Sequence, residues 1–504
     1  MDYAALIIFL VMHYVRPQEW SSFFTQLRPI QLLAVLALYA LYQRRESVRL
    51  RDLWCTPQDY MVTAYFAWTV FASPTPSTTF RSILPLIFFY FVGVLTLTSL
   101  PRLKKFLGWW AVSIVFISAL AIASTLGFDP LDSASITQWR MKGRLVLNLS
   151  IFNNPNALAH AIVPVIPMLY YLLFWKRTFS KPLILVIIIP ITCILMTLSK
   201  GAFLAGAVTI FATLTFGRPK KVQIAMAVLA FAFGGTLIYA MPRMSELKSS
   251  KSDAAIQGRV AAFQFGLHQM QHLTFGHGLG NFQEQFFRYG PVEKVKKMRT
   301  VHGRHQFYYI ISHYYKAPHS AYNQNGADLG FTGFFLFIGV MYCSLRTLAQ
   351  AKTINNDEEL LRRTLFAIVV SYAVSAWMVD FCYRPTFFLF TAATSAFHRH
   401  LRGLLALKRK STEDEEAQAI ETNSVWLRPE DLPRSADDSS ASVAVETLPT
   451  VEVRTPQVVE PSSAPQEELH GSINWQRIGW VDLMLTYLLT KGAVRLWVYA
   501  IENM

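Results

Sequence analysis

Four stretches of this chain carry residue types suited to holding an anion and moving a proton. Arg144 stands ahead of IFNNPNALAHAI, and Lys200 lies between Ser199 and Gly201 in LSKGAFLAG. Arg259 lies in QGRVAAFQFGL, upstream of the glycine-rich GHGLGNF at 276–282, and His319 follows Pro318 in PHSAYNQNGADLG. Lysine and arginine supply charge-assisted donors to phosphate or carboxylate oxygens, arginine as a two-pronged fork. Histidine, with an ordinary pKa near ~6.5, can accept a hydroxyl proton at neutral pH. Two or three cations with one titratable base are what an anionic leaving group and a proton transfer require. Each residue also has a plainer use: Arg144 on lipid phosphate, Lys200 snorkelling to an interface, Arg259 solvated at the surface, His319 as a helix cap.

The elements that must position these residues are membrane helices. The chain has 504 residues, 53% hydrophobic and 14% aromatic. Apolar blocks run at 3–15, 30–43, 59–73, 80–98, 106–126, 158–175, 182–198, 202–217, 222–240, 327–345, 364–379 and 385–398. They predict an all-α polytopic membrane protein of about twelve transmembrane helices, several needing flanking residues to reach the ~20 of a straight span. Pro318 suits a helix start, where its missing N–H is unpaired anyway. Tyr322, three residues after His319, shares its helix face, and Asn323, Gln324, Asn325 and Asp328 line the first turns.

Basic residues set the orientation. Arg44, Arg45, Arg49 and Arg51 fill the second connection, and Arg102, Lys104 and Lys105 the fourth. Lys176, Arg177 and Lys181 fill the sixth, Arg218, Lys220 and Lys221 the eighth, and Arg346, Lys352, Arg362 and Arg363 the tenth. Arg399, Arg402 and Lys408 to Lys410 follow the last block. This pattern predicts both termini in the cytoplasm and the odd connections outside. The longest of these, 241–317, is the large outward loop before the tenth helix. Phe263, Leu267 and Met270 recur in it at helical spacing. The net charge of +15 sits mostly in the connections between spans and implies no nucleic-acid partner. Four scattered cysteines, Cys55, Cys193, Cys343 and Cys382, make neither a disulfide framework nor a zinc site. The first block lacks a small-residue cleavage pattern and is expected to be retained.

Three regions follow: a transmembrane domain over 1–400, an acidic Ser- and Pro-rich linker over 411–470, and a terminal amphipathic helix over 473–504. The linker composition cannot bury a core and predicts cytoplasmic disorder. The terminal stretch regains Trp475, Trp480, Tyr487 and Trp497, and is read as a helix on the inner membrane face or against the bundle.

The order SKGAFLAG, GR-x5-FGL, GHGLGNF and PHSAYNQNGADLGFTGFFLF, over about residues 140–400, resembles the O-antigen ligase and O-antigen polymerase family of bacterial envelope polysaccharide enzymes. FNNPNALAHAI matches a stretch such proteins often carry. Many members have Ser-Arg-Gly where this chain has Ser199-Lys200-Gly201; lysine keeps the charge but not the fork. The resemblance implies glycan transfer from an undecaprenyl-diphosphate-linked donor to an acceptor hydroxyl on the periplasmic face of the bacterial inner membrane. It implies inversion at the anomeric carbon, no metal and no cofactor. His319 would be the catalytic base, with Arg259, Lys200 and, more weakly, Arg144 on the diphosphate. Tyr322 and Asn323 are weaker candidates for acceptor or sugar contact, and Phe263, Phe282, Phe286, Phe287 and Tyr289 for stacking on sugar rings. Lipid A core, a growing polysaccharide (a polymerase) and a protein hydroxyl (an O-oligosaccharyltransferase) all remain open as acceptor.

One other enzyme reading and a transporter compete. Asp129 and Asp132 in FDPLD offer carboxylates for a divalent cation. His268 and His272 form an i, i+4 pair of zinc-ligand type, but no third ligand is evident, and they read as surface histidines. A flippase would move the lipid-linked glycan without chemistry, but few charges fall within the apolar blocks. Removing 411–469 while keeping 473–504 should leave turnover near wild type in membranes where the shortened protein inserts. Lost turnover at equal expression would give the linker a role in the reaction.

Overall fold

The computed structural model describes residues 2–27, 29–43, 53–175, 186–228, 254–301, 304–403 and 477–502. Met1–Leu401 and Trp475–Met504 form one compact unit, and the 411–470 linker lies outside the described residues. In chain order the helices are α1 Asp2–Val15, α2 Pro29–Gln43, α3 Pro57–Phe71, α4 Pro76–Thr96, α5 Leu100–Thr125, α6 Pro155–Ile162, α7 Val165–Tyr170, α8 Ile188–Met196 and α9 Lys200–Thr215. α10 Ala254–His272, α11 Phe282–Tyr289, α12 Ala321–Gln350, α13 Asn356–Ser375, α14 over 385–403 and α15 Trp480–Glu502 follow. The bundle is helical as expected. The 241–317 connection adds a strand pair that the sequence reading did not contain: β1 Glu293–Val301 runs antiparallel to β2 Arg304–Ser312, with Lys297 opposite Tyr308.

Among the described residues, four helical stretches are long and apolar enough to cross a membrane: Pro76–Thr96, Leu100–Thr125, Pro155–Leu173 and Ala321–Gln350. Asp2–Val15, Gln31–Gln43 and Lys200–Thr215 are shorter apolar helices. These stand where about twelve segments were expected, two of which, 182–198 and 222–240, fall partly outside the described residues. Large apolar side chains such as Val35, Leu38, Val112, Phe116 and Leu195 are exposed on the helix flanks. A belt of this kind suits acyl chains rather than water.

At one end of the bundle, buried acids gather the helices. Thr56 and Asp59 close a capping box at the start of α3, with Pro57 in the first turn where it costs no hydrogen bond. The Asp59 carboxylate then accepts from Tyr90 of α4 at 2.8 Å, from Ser395 of α14 at 2.8 Å and from Arg399 at 2.9 Å. Lys104 pairs with Asp357, and Arg346 with Asp482. These pairs join sequence-distant helices at the end rich in basic connections.

At the other end α12 is broken. Gly330 has φ 70° and ψ −171°, outside the helical region and essentially reserved to glycine. A break orphans backbone groups, and three of them have partners from other segments. Gly278 N–H donates to the Asp328 carbonyl at 2.7 Å, the Trp68 indole N–H to the Leu329 carbonyl at 2.9 Å, and Phe331 N–H to the Leu273 carbonyl at 3.1 Å. The Asp328 carboxylate accepts from the Gly280 and Phe282 backbone N–H groups at 3.0 and 2.8 Å. The GHGLGNF turn is therefore moulded onto the break. A side chain at Gly276 would meet the Asp328 carbonyl, and one at Gly330 the Thr274 carbonyl.

α15 packs lengthwise on α12, antiparallel to it. Asp482 lies by Tyr342 and Arg346, Thr486 by Gly339, Tyr487 by Phe331 and Trp497 by Tyr322.

Gly330→Ala should lower the melting temperature of the purified protein, because strain at such a backbone position costs about 1–3 kcal/mol. An unchanged melting temperature would mean that the break is not enforced by this contact.

Candidate functional site

The connections expected to face outward meet at the end of the bundle opposite Asp59. Glu19 accepts from the Ser150 backbone N–H and hydroxyl, both at 2.7 Å, tying the first connection to the 127–157 connection. Gly278 packs on Pro74. Tyr383, just before α14, donates to Asp328 at 3.1 Å.

His319 sits directly before α12, in a left-handed conformation with φ 51°. Ser320 caps the helix, its hydroxyl accepting from Asn323 N–H at 3.4 Å and donating to the Ala376 carbonyl at 3.2 Å. The Ala321 N–H donates to the same carbonyl at 2.7 Å. The end of α13 thus holds the half-buried imidazole in place. Burial pushes its pKa below the ordinary value, and the Arg259 and Lys316 charges push the same way, against the Asp380 carboxylate. His319 is therefore neutral at neutral pH, the form that accepts a proton. Arg259 is exposed near the start of α10, and Lys316 lies against Gly258 on the same helix.

A second group forms around Asn156. Its amide oxygen accepts from Arg144 at 2.9 Å and from the Ser199 hydroxyl at 2.8 Å. Arg144 also donates to the Thr197 carbonyl at 3.1 Å. Ser199 caps α9 through Ala202 N–H, so Lys200 opens that helix. The stretch around Asn156 and the Lys200 turn are thereby one unit, with Arg144 as its brace. The two groups share the end of α13. The buried His160 bonds Ser375 at 2.9 Å, and Gly201 faces both His160 and Met378, while Ala376 holds the His319 turn.

Tyr322 and Asn323 point elsewhere. Tyr322 is buried, donates to the Ala373 carbonyl at 2.7 Å and packs beside Trp377 and Trp497. Asn323 is fully buried and donates to the Ala262 carbonyl at 3.0 Å, in space left by Gly266. Both join α12 to its neighbours; neither faces the open end. Phe282 and Phe286 form a small core with Ala262 and Ala327, packed by Phe265 and Tyr314. Phe287 stacks on Tyr315, and Phe263 packs on Trp377 and Trp497. Tyr289 lines a cavity of about 610 Å³ along α10 with Gln264, His268, Gln269 and His277.

Asp129 is occupied as a cap, accepting from Ser133 and Ala134 N–H at 2.8 and 2.7 Å. The His268 and His272 rings lie 4.4 Å apart. Among the described residues no cluster of three or more histidine, cysteine or acidic side chains is placed to hold a metal ion. Asp380, Lys316, Asn156 and His160 are residues the sequence reading missed. Asn156 and His160 fall in the FNNPNALAHAI stretch, and Asp380 stands with Arg384 between two apolar blocks; these were the signals in the sequence.

A helical membrane-type bundle with a neutral histidine and several cations gathered at one end defines the class. Residues 183–338 match the family model described as O-Antigen ligase. That match covers about a third of the chain and supports a likeness to the O-antigen ligase family, whose members are glycan-transferring enzymes, ligases and polymerases. No curated protein and no solved structure matches the chain.

If neutral His319 is the working form, the acid limb of the rate profile should fall below ~6.5, the unperturbed histidine value. Lys316→Met removes a repelling charge and should move that limb up; Asp380→Asn removes an attracting one and should move it down. Shifts of the same sign in both variants would exclude His319 as the group being titrated.

Proposed function

We propose that this chain transfers a glycan from an undecaprenyl-diphosphate-linked donor to an acceptor hydroxyl on the periplasmic face of the inner membrane. The observation that carries the reading is a neutral imidazole beside Arg259, at the bundle end where Lys200 also lies. The acceptor proton passes to a ring nitrogen of His319 as its oxygen forms a bond to the anomeric carbon. The bond from that carbon to the diphosphate breaks, and a single displacement of this kind inverts the centre. Negative charge grows on the departing diphosphate and is met by Arg259 and Lys200, in a partly desolvated site where such contacts are strong. Arg144 acts through Asn156 and Ser199, setting the Lys200 turn. The donor sugars lie along the cavity beside Tyr289, Gln264 and Gln269, where an aromatic face and amides suit a pyranose.

The reading places the N-terminus in the cytoplasm, with about twelve spans completed by the blocks that length alone leaves short. Lipid A core, a polysaccharide end and a protein hydroxyl share this chemistry. Supplying each acceptor separately with one lipid-linked donor distinguishes ligase, polymerase and protein glycosylation.

His319→Ala should cut turnover by about 10²–10⁴-fold while donor binding persists. Arg259→Ala should weaken both donor binding and turnover, whereas Lys200→Arg should be tolerated because charge is kept and a fork gained. Activity should survive EDTA. A His319→Ala enzyme with normal turnover, or activity lost in EDTA and restored by a divalent cation, would sink this mechanism.

A further inference from the structure

The terminal helix α15 has a two-faced surface that a helix lying flat on the bundle end would not need. Asp482, Thr486, Thr490, Val494 and Trp497 are buried, one stripe at helical spacing. Trp480, Met484, Leu488, Leu496 and Tyr499 are exposed on the other side. The buried stripe follows α12 from Arg346 to Tyr322, that is, from the basic end of the bundle to the end holding His319. At 1.5 Å per residue the 23 residues of α15 make a rod of about 35 Å. Asp482, Lys491 and Arg495 keep it out of the four apolar stretches, so its course along α12, not its composition, argues for a crossing. Its one buried acid, Asp482, is paired with Arg346, which removes the main cost of placing it beside a span. Trp497 ends in an aromatic cluster with Trp377 at 4.7 Å, Phe263 at 5.4 Å and Phe334 at 5.5 Å.

Near that far end lies a cavity of about 360 Å³ between α10, α12 and α15. Gln271, His272, Thr274, Phe331, Lys491 and Arg495 line it, and none of its described lining residues is acidic. Lys491 and Arg495, four apart, present their charges on one helix face. The Lys491 ammonium stands 4.8 Å from the Phe331 ring centroid. Two exposed cations, the twelfth and sixteenth residues of α15, stand over an apolar floor beside Phe331, where α12 is broken. They complement a phosphate carried on acyl chains.

We propose that α15 crosses the membrane beside α12 and that Lys491 and Arg495 seat the phosphate of an anionic phospholipid in this cavity. The chain end then lies on the His319 side, in place of the cytoplasmic C-terminus that the basic connections alone predict. The inference rests on helix packing and charge, not on the glycan-transfer reading, and is measured without turnover.

The full-length protein, purified in detergent with equal phosphatidylglycerol and phosphatidylcholine, should retain phosphatidylglycerol by native mass spectrometry. Lys491→Ala/Arg495→Ala should retain about tenfold less, and Lys491→Arg should retain it as wild type does. Inorganic phosphate should not displace the lipid. A short tag appended to the C-terminus should be cut by protease added to intact spheroplasts. Equal retention by the double alanine variant, displacement by inorganic phosphate alone, or a tag cut only after permeabilisation would each overturn the proposal.

Discussion

The arrangement of the site depends on one side chain, Asp328, and the helix break beside it. Its carboxylate accepts two backbone N–H groups from the glycine turn and the Tyr383 hydroxyl, and its carbonyl accepts a third N–H. Three segments far apart in sequence converge on one residue: the 241–317 connection, the start of α12 and the approach to α14. A fully buried carboxylate is costly unless its lone pairs are filled, and here backbone and phenol donors fill them. The turn and the break require each other. Without the turn the Asp328 carbonyl and carboxylate would lose their backbone donors; without the break the turn has no concave surface to enter.

From that join the chemistry can be followed outward. His319 lies nine residues before Asp328, and the Ala376 carbonyl at the end of α13 holds the Ser320–Ala321 turn that follows it. Burial lowers the imidazole first, and Arg259, one of the two cations proposed for the diphosphate, lowers it further together with Lys316. One charge that would receive the leaving group thus also keeps the base neutral. Asp380 opposes them and sets how far that depression goes. One electrostatic arrangement thus serves both halves of the proposed reaction.

The opposite end is built for anchorage. Asp59 ties three helices, Lys104 and Asp357 tie α5 to α13, and Arg346 and Asp482 tie α12 to α15. Pairs of this kind are specific rather than strongly stabilising, since desolvation offsets much of their attraction. Breaking one partner leaves a charge uncompensated, and that penalty fixes which helices lie side by side.

The sequence alone determined the helical membrane character, because runs of apolar residues have few other ways to satisfy their backbone in lipid. It also pointed to His319, Arg259 and Lys200, whose side chains are out of place in apolar surroundings unless something uses them. Tyr322 and Asn323 looked the same in sequence, since helical spacing gives a face but not what that face meets. Only the tertiary structure turned them inward, onto Ala373 and Ala262. The strand pair Glu293–Val301 and Arg304–Ser312 carries no helical spacing, and its pairing exists only once the two segments lie side by side. The roles of Asp328, Asn156 and Asp380 are equally tertiary: a carboxylate or amide reads as merely polar until its partners, 12 to 61 residues away in sequence, are in contact. The course of α15 was undecided for the same reason. Its composition fits a helix on the inner membrane face or against the bundle, and its packing on α12 decides which surface is buried.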